Sequence, residues 1–263
     1  MSKKYEVGDV YQANDARYGS YKIIAVEGCK AITIEFINTG TQITGASYNV
    51  TMGKVKDPMA RTVAGVGYIG IGPHKPTNSP PYKRWRSMLD RCYVEDRTTY
   101  AYYGGRGVYV CDDWHNFQNY CEWWNRNCCD DSYQIDKDLL VKGNLEYGPY
   151  TCVAIPRRLN YLFADSPERR GTMPIGVHYH SEKLTNNYSA SMQSFGKAKF
   201  LGFFDCPIKA HRSWQVSKVN HLKTEIDSYF DLPCFIEELR SPLEQRWKAI
   251  QDDYDNMRIT EVV

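Results

Sequence analysis

The segments IGVHYH (175–180), NYSASMQ (187–193) and KAKFLGFF (197–204), followed by PIKAHRSWQVSKVNHLKTEI (207–226), decide the architecture of the C-terminal third. The first three are short runs rich in β-branched and aromatic residues, separated by turn-forming SEKLTN and SFG. In NYSASMQ the alternation is strict. Tyr188, Ala190 and Met192 fall on one side of a strand, and Ser189, Ser191 and Gln193 on the other. Pro207 opens a long helical pattern at a position where proline is tolerated. Three antiparallel strands on one helix make a small domain over 174–232. Pro233 ends that helix. Ser241 and Pro242 read as the N-cap and first turn of a last helix, about 242–256, with Leu243, Trp247, Ile250 and Tyr254 on one side. Residues 233–263 form an acidic C-terminal helical segment.

Upstream, residues 82–165 have a different texture. YKRWRSMLDRCY (82–93) places Trp85, Met88, Leu89 and Cys92 at helical spacing, a core stripe flanked by Lys83, Arg84, Arg86 and Arg91. Those cations either grip phosphate or solvate the helix. YYGGRGVYVCDDW (102–114) holds Gly104, Gly105 and Gly107 in a tight turn beside Arg106, then a short strand. HNFQNYCEWWNRN (115–127) has aromatics three and four apart, the pattern of a buried helix face. Nearer the N-terminus, YKIIAV (21–26) and KAITIEFI (30–37), punctuated by glycines, read as β-hairpins. Residues 1–63 are expected to be a small β-barrel-like module. AGVGYIGIG (64–72) and the proline-rich run after it, to 81, read as a linker.

The chain of 263 residues carries a formal charge of +2. Residues 225–263 hold ten acids against four bases, net −6, which leaves +8 for residues 1–224. A basic body suits a polyanion such as nucleic acid. The acidic tail reads as a solvated helix surface, or as a cover for a basic face or a docking element for another subunit. No run reaches the ~18–20 apolar residues of a membrane-spanning helix, and the first residues lack a signal-peptide core. A cytoplasmic location is expected, in a bacterial host if the chain is phage-encoded. Nine cysteines without a C-x-x-C pair are expected to be reduced thiols. A structural Zn²⁺ on Cys92, Cys111 and Cys152 is the lesser expectation.

The middle segment resembles the phage-type HNH endonuclease family. The matching residues are Trp85, Met88, Arg91 and Cys92; then Tyr103-Gly-Gly-Arg-Gly-Val, Cys111, Trp114 and Phe117; then Ile135-Asp-Lys-Asp-Leu-Leu-Val-Lys-Gly-Asn144, Tyr147, Pro149, Cys152 and Asn160. The third segment resembles the plant ethylene-response-type DNA-binding domain through Gly176-Val177, Tyr188, Ala190, Gly196-Lys197, Leu201-Gly202, Phe204 and Ala210. The resemblance implies an α+β modular protein whose nuclease domain is of the ββα-metal type. It implies one divalent ion, Mg²⁺ or Mn²⁺, held by Asp136 and Asn160, with Asn144 bracing the hairpin. In the family a histidine on the first strand activates water. This chain has Lys137 there, a base only if its ammonium loses its proton and otherwise a phosphate ligand. Asp138 is a second carboxylate, on the face of Asp136 if the strand continues. His115 is a substitute base from another element, or an ordinary core or surface histidine.

For DNA, Arg84, Arg86, Arg106, Arg157, Arg158, Arg169 and Arg170 are the expected phosphate contacts. The third domain is expected to lay one sheet face in the major groove, through His178, His180, Lys183, Gln193 and Lys199. The arginines and tryptophans by which that family reads bases are largely missing. The function expected is metal-dependent cleavage or nicking of double-stranded DNA, of the kind mobile homing enzymes perform. The alternatives are a DNA-binding protein with an inactive nuclease site, and a phage protein that binds a host factor.

Overall fold

A computed structural model describes residues 5–27, 31–141, 143–163, 171–182 and 185–262. The chain is mixed α+β with several small sheets and divides into two compact units. The first holds residues up to 126 together with 145–150. The second holds 127–144 and everything from 151.

In the first unit, strands β1 (Val10–Gln12), β2 (Ser20–Glu27), β3 (Ala31–Phe36) and β4 (Gln42–Gly45) form an antiparallel meander in that order. Every second residue of β3 is buried, so Ile32, Ile34 and Phe36 meet Tyr21 and Ile23 in one core. The short helix α1 (Ser47–Thr51) adds Val50, whose carbonyl accepts from the Tyr21 hydroxyl at 2.5 Å. Among the described residues β1 and β4 do not pair. The module is therefore an open sheet and not the barrel that its short strands suggest.

Helix α2 (Pro80–Tyr93) begins at Ser79, whose hydroxyl accepts from Tyr82 N. Its expected stripe of Trp85, Met88, Leu89 and Cys92 is buried. Strand β5 (Tyr109–Val110) precedes helix α3 (Phe117–Asn127). Trp85 Nε1 donates to Trp114 O at 2.6 Å, and Tyr82 and Phe117 complete an aromatic cluster around that indole. Residues 64–81 are not a linker. Tyr68 N donates to His115 O and Tyr68 O accepts from Phe117 N, both at 2.9 Å. The Gln118 amide bonds Ile69 O, His74 O and His74 N. Glycine is needed at 67 for closeness, since a Cβ there would sit 2.4 Å from Leu89 Cδ1. Glycine content read as flexibility is here close packing.

The second unit begins with β6 (Tyr133–Asp136). After it, β7 (Glu146–Tyr147) pairs in parallel with β5, which is why 145–150 count with the first unit. Then β8 (Val153–Pro156) pairs antiparallel with β6, Asp136 opposite Val153, and leads directly into helix α4 (Arg157–Tyr161). Strands β9 (Val177–Tyr179), β10 (Tyr188–Ser194) and β11 (Lys197–Phe204) form the expected antiparallel sheet with β10 in the middle. Helix α5 (Pro207–Phe230) follows, as expected. Helix α6 (Arg240–Asp255) starts two residues earlier than the Ser-Pro signal indicates. No side chain caps it, and the Ser241 hydroxyl instead accepts from Gln245.

Helix α6 runs antiparallel beside α5. Arg212 donates to Tyr254 O, Gln215 to Arg258 O, and Thr260 N to His211 Nε2, while the Lys223 ammonium lies 4.2 Å from the Trp247 ring centroid. One apolar core joins Val153, Ile155, Leu159 and Leu162 of the strand–strand–helix segment to Met192, Trp214, Leu222, Ile226, Leu243 and Ile250. A nuclease domain ending at 165 and a separate domain over 174–232 are therefore not independent. The boundary inferred from composition, between 165 and 174, crosses a shared core, and its residues 166–170 lie outside the described residues. Cys129 and Cys234 are joined, with Cα atoms 6.5 Å apart, against the expectation of reduced thiols throughout. No described helix is long and apolar enough to cross a membrane.

Candidate functional site

Strand β6 ends because Asp136 ends it. Its Oδ1 accepts from the backbone N–H of Asp138 at 2.8 Å and of Leu139 at 2.7 Å, turning the chain. Asp138 thus lies in the turn and not two places along a strand, as its spacing suggests. The carboxyl of Asp136 is half-buried. Burial pushes its pKa up, and the two backbone donors pull the other way.

Helix α4 supplies the second residue. Asn160 Nδ2 donates to Gln134 Oε1 at 2.8 Å. Gln134 and Asp136 are two apart on β6 and share a face, so this bond brings Asn160 to the side of the hairpin that carries Asp136. With its nitrogen engaged in that way, Asn160 has its amide oxygen as the atom suited to a metal. Asp136, Asp138 and Asn160 line one cavity of about 420 Å³, together with Leu139, Gly143, Tyr161, Phe163 and Arg246. Asp136 and Asn160, 24 positions apart in sequence, are thus brought together.

Lys137 is not in that cavity. It is buried, and its ammonium donates to Asp138 Oδ1 at 2.7 Å, to Asp138 Oδ2 at 2.9 Å and to Asn144 O at 2.5 Å. Asn144 Nδ2 returns a bond to Lys137 O at 3.0 Å, so Asn144 does brace the loop. Lys137 acts here as the cross-link of the loop, not as a group poised at the cavity. Lys137→Met is accordingly expected to lower stability by about 1–3 kcal/mol, because it removes the bonds of a buried ammonium to Asp138 and to Asn144 O. Chemical denaturation of the two proteins measures it.

His115 lies in the first unit and is absent from the residues lining the Asp136 cavity. It is buried, within 3.3 Å of the Tyr93 hydroxyl and 3.4 Å of Asp112, and burial pushes its pKa down. A core histidine is the reading that these contacts support.

The expected phosphate contacts do not share one environment. Arg86 and Arg106 are exposed, the latter with its guanidinium 5.5 Å from the Tyr102 centroid; Arg84 is half-buried. Arg157 is exposed and donates to the Tyr161 hydroxyl at 2.8 Å. Arg158 is committed elsewhere, gripping the buried carboxylate of Glu225 with one bond of 2.6 Å and its Nε on the other oxygen. Arg158→Ala should therefore cost about 1–3 kcal/mol of stability, read by chemical denaturation. Arg157→Ala, at an exposed bond, should leave stability unchanged by the same measurement. Arg169, Arg170 and Lys183 lie outside the described residues.

On the three-stranded sheet, Ala190 and Met192 face the core as their alternation requires. The opposite face carries His178, bonded to the Ser191 hydroxyl, and His180, bonded to that of Ser189, each at 2.8 Å. Gln193 is exposed on the same face. Lys199 pairs with Met192 across the ladder, in the register set by the hairpin turn, and so belongs to the other face. Phe200 stands opposite Ser191, and a bulge at Ala190/Ser191 then shifts β11 so that Phe203 stands opposite Ser189, on the same face. Both rings are more than half exposed and 5.0 Å apart. Alternation counted from β11 alone misses them.

Among the described residues no three His, Cys, Asp or Glu side chains gather as a metal cage. The Asp136–Asn160 pair still fits a hard divalent ion. A half-buried carboxylate whose charged form is disfavoured by burial gains from a nearby cation. Two protein oxygens leave the rest of the shell to water and phosphate, which suits Mg²⁺. No family model matches the chain, and neither does any curated protein or solved structure.

Proposed function

We propose that the strand–strand–helix segment 133–161 is an HNH-like centre that hydrolyses phosphodiester bonds of double-stranded DNA with Mg²⁺ or Mn²⁺. The observation that carries the reading is the convergence of Asp136, from the end of the first strand, and Asn160, from the helix after the second, on one cavity. Asp136 and Asn160 would hold the ion, and when bound it would stabilise charge on the scissile phosphate and its leaving oxygen. The chain's own contribution is positional. The backbone N–H groups of Asp138 and Leu139 fix the Asp136 carboxylate, and Gln134 fixes the Asn160 amide. Arg157, exposed beside Asn160 on helix α4, suits a flanking phosphate. The histidine and serine face of the sheet, with Phe200 and Phe203, suits contact with the duplex.

A second reading has one observation in its favour. Lys137, at the position of the family's histidine, is bonded to Asp138 and Asn144, and no histidine is among the described residues lining the cavity. That favours a DNA-binding protein whose site has lost its base. Supercoiled plasmid with Mg²⁺ or Mn²⁺, against a chelator control, separates the two. Metal-dependent nicking supports the nuclease. Salt-sensitive gel shifts without nicking support the second reading.

A further inference from the structure

We propose that Arg246, on the acidic C-terminal helix α6, is the phosphate ligand of the Asp136–Asn160 cavity. The proposal rests on the nuclease reading and names a substrate contact from outside the strand–strand–helix segment. Arg246 is the cation among the described residues that line the cavity, and its guanidinium stands 5.4 Å from the Phe163 ring centroid. The packing of α6 holds it there. Leu243 and Ile250 are buried in the shared core and Trp247 packs against it, so Arg246 sits on the turn between them at the core's edge.

The lining of the cavity carries both signs of charge. Asp136 accepts from two backbone N–H groups and Asp138 accepts from Lys137, so each carboxylate is fixed by bonds of its own. Arg246 lines the same space of about 420 Å³. A phosphodiester accompanied by a divalent ion matches that pattern. Its oxygens take the planar fork of a guanidinium, and the ion takes the carboxylate. A guanidinium has five N–H donors in fixed directions, so it can keep protein contacts and still present an edge to phosphate. Lys137 cannot serve in this way, because it is buried and directed to Asp138 and Asn144 O. The site is thus completed by α6, a helix more than eighty residues downstream of Asn160 in the case of Arg246.

The test uses the full chain with Arg246→Met, which keeps the stem beside Phe163, and Arg246→Lys, which keeps the charge and loses the fork. Plasmid nicking should fall about 100-fold in the Met variant and about 10-fold in the Lys variant, both remaining folded. Millimolar inorganic phosphate should raise the melting temperature of the wild type and not that of the Met variant. If the wild type nicks and Asp136→Asn does not, while Arg246→Met nicks at the wild-type rate, the assignment of Arg246 is overturned and the nuclease reading stands. If the wild type nicks nothing, the nuclease reading falls. Arg246 is then judged by phosphate alone, where equal stabilisation of both proteins overturns it and loss in the variant upholds it. Should the Met variant fail to fold, the Lys variant decides by the same two measurements.

Discussion

Asp136→Asn is expected to give a folded protein that no longer nicks DNA. The amide oxygen of asparagine can accept from Asp138 N and Leu139 N as the carboxylate does, so the turn that ends β6 survives. What is lost is the negative charge that would hold a divalent ion. A metal supplying about 3–4 kcal/mol of transition-state stabilisation corresponds to roughly 10²–10³-fold in rate. The same substitution should raise thermal stability near neutral pH. Burial raises the pKa of Asp136, so the folded state is penalised for an ionised carboxyl above that pKa and is relieved as pH falls through it. The stability gap between this variant and the wild type should therefore shrink on acidification. Added Mg²⁺ or Mn²⁺ should stabilise the wild type and leave the variant unmoved. Nicking that persists in the variant, in preparations cleared of contaminating nuclease, would remove this cavity from the chemistry. A gap that widens on acidification would contradict the buried carboxyl.

Removing residues 171–263 should unfold the strand–strand–helix segment, not release it as a working nuclease domain. Trp214, Leu222, Ile226, Leu243 and Ile250 share one core with Val153, Ile155, Leu159 and Leu162, and the truncation would expose that surface to water. It would also remove Glu225, which holds Arg158, and Lys218, whose ammonium donates to Leu162 O at 2.6 Å. A milder version is Leu222→Ala. Leu222 is fully buried, and its truncation should cost about 2–5 kcal/mol. In that variant the unfolding midpoint of the second unit and the temperature at which nicking is lost should fall together. A truncated chain that keeps cooperative unfolding over 127–163 would show that the shared core is dispensable.

Local pattern alone determined a good part of this protein. The alternation of NYSASMQ, the proline at 207 and the spacing of Trp85, Met88, Leu89 and Cys92 specify a strand, a helix start and a buried helix face. Each of these follows from the period of its own backbone, so no distant residue is needed to see it. The pairing of Asp136 with Asn160 was legible only through a resemblance in residue order, and the bond that holds Asn160 beside the strand comes from Gln134, which that resemblance does not single out. Other features depended on contacts between residues far apart in sequence. Lys137 turned to Asp138 and Asn144 because a loop carbonyl and a carboxylate stood within reach of its ammonium. Arg158 was drawn to Glu225, 67 positions away. The glycines at 67, 70 and 72 served close approach instead of flexibility. A one-residue bulge moved Phe203 to the outer sheet face beside Phe200. The acidic tail became a helix packed on α5 that brings Arg246 to the cavity. Composition and period register what a segment prefers by itself. Which partner satisfies a buried charge, and which surface covers a strand, is decided when the whole chain collapses around one core.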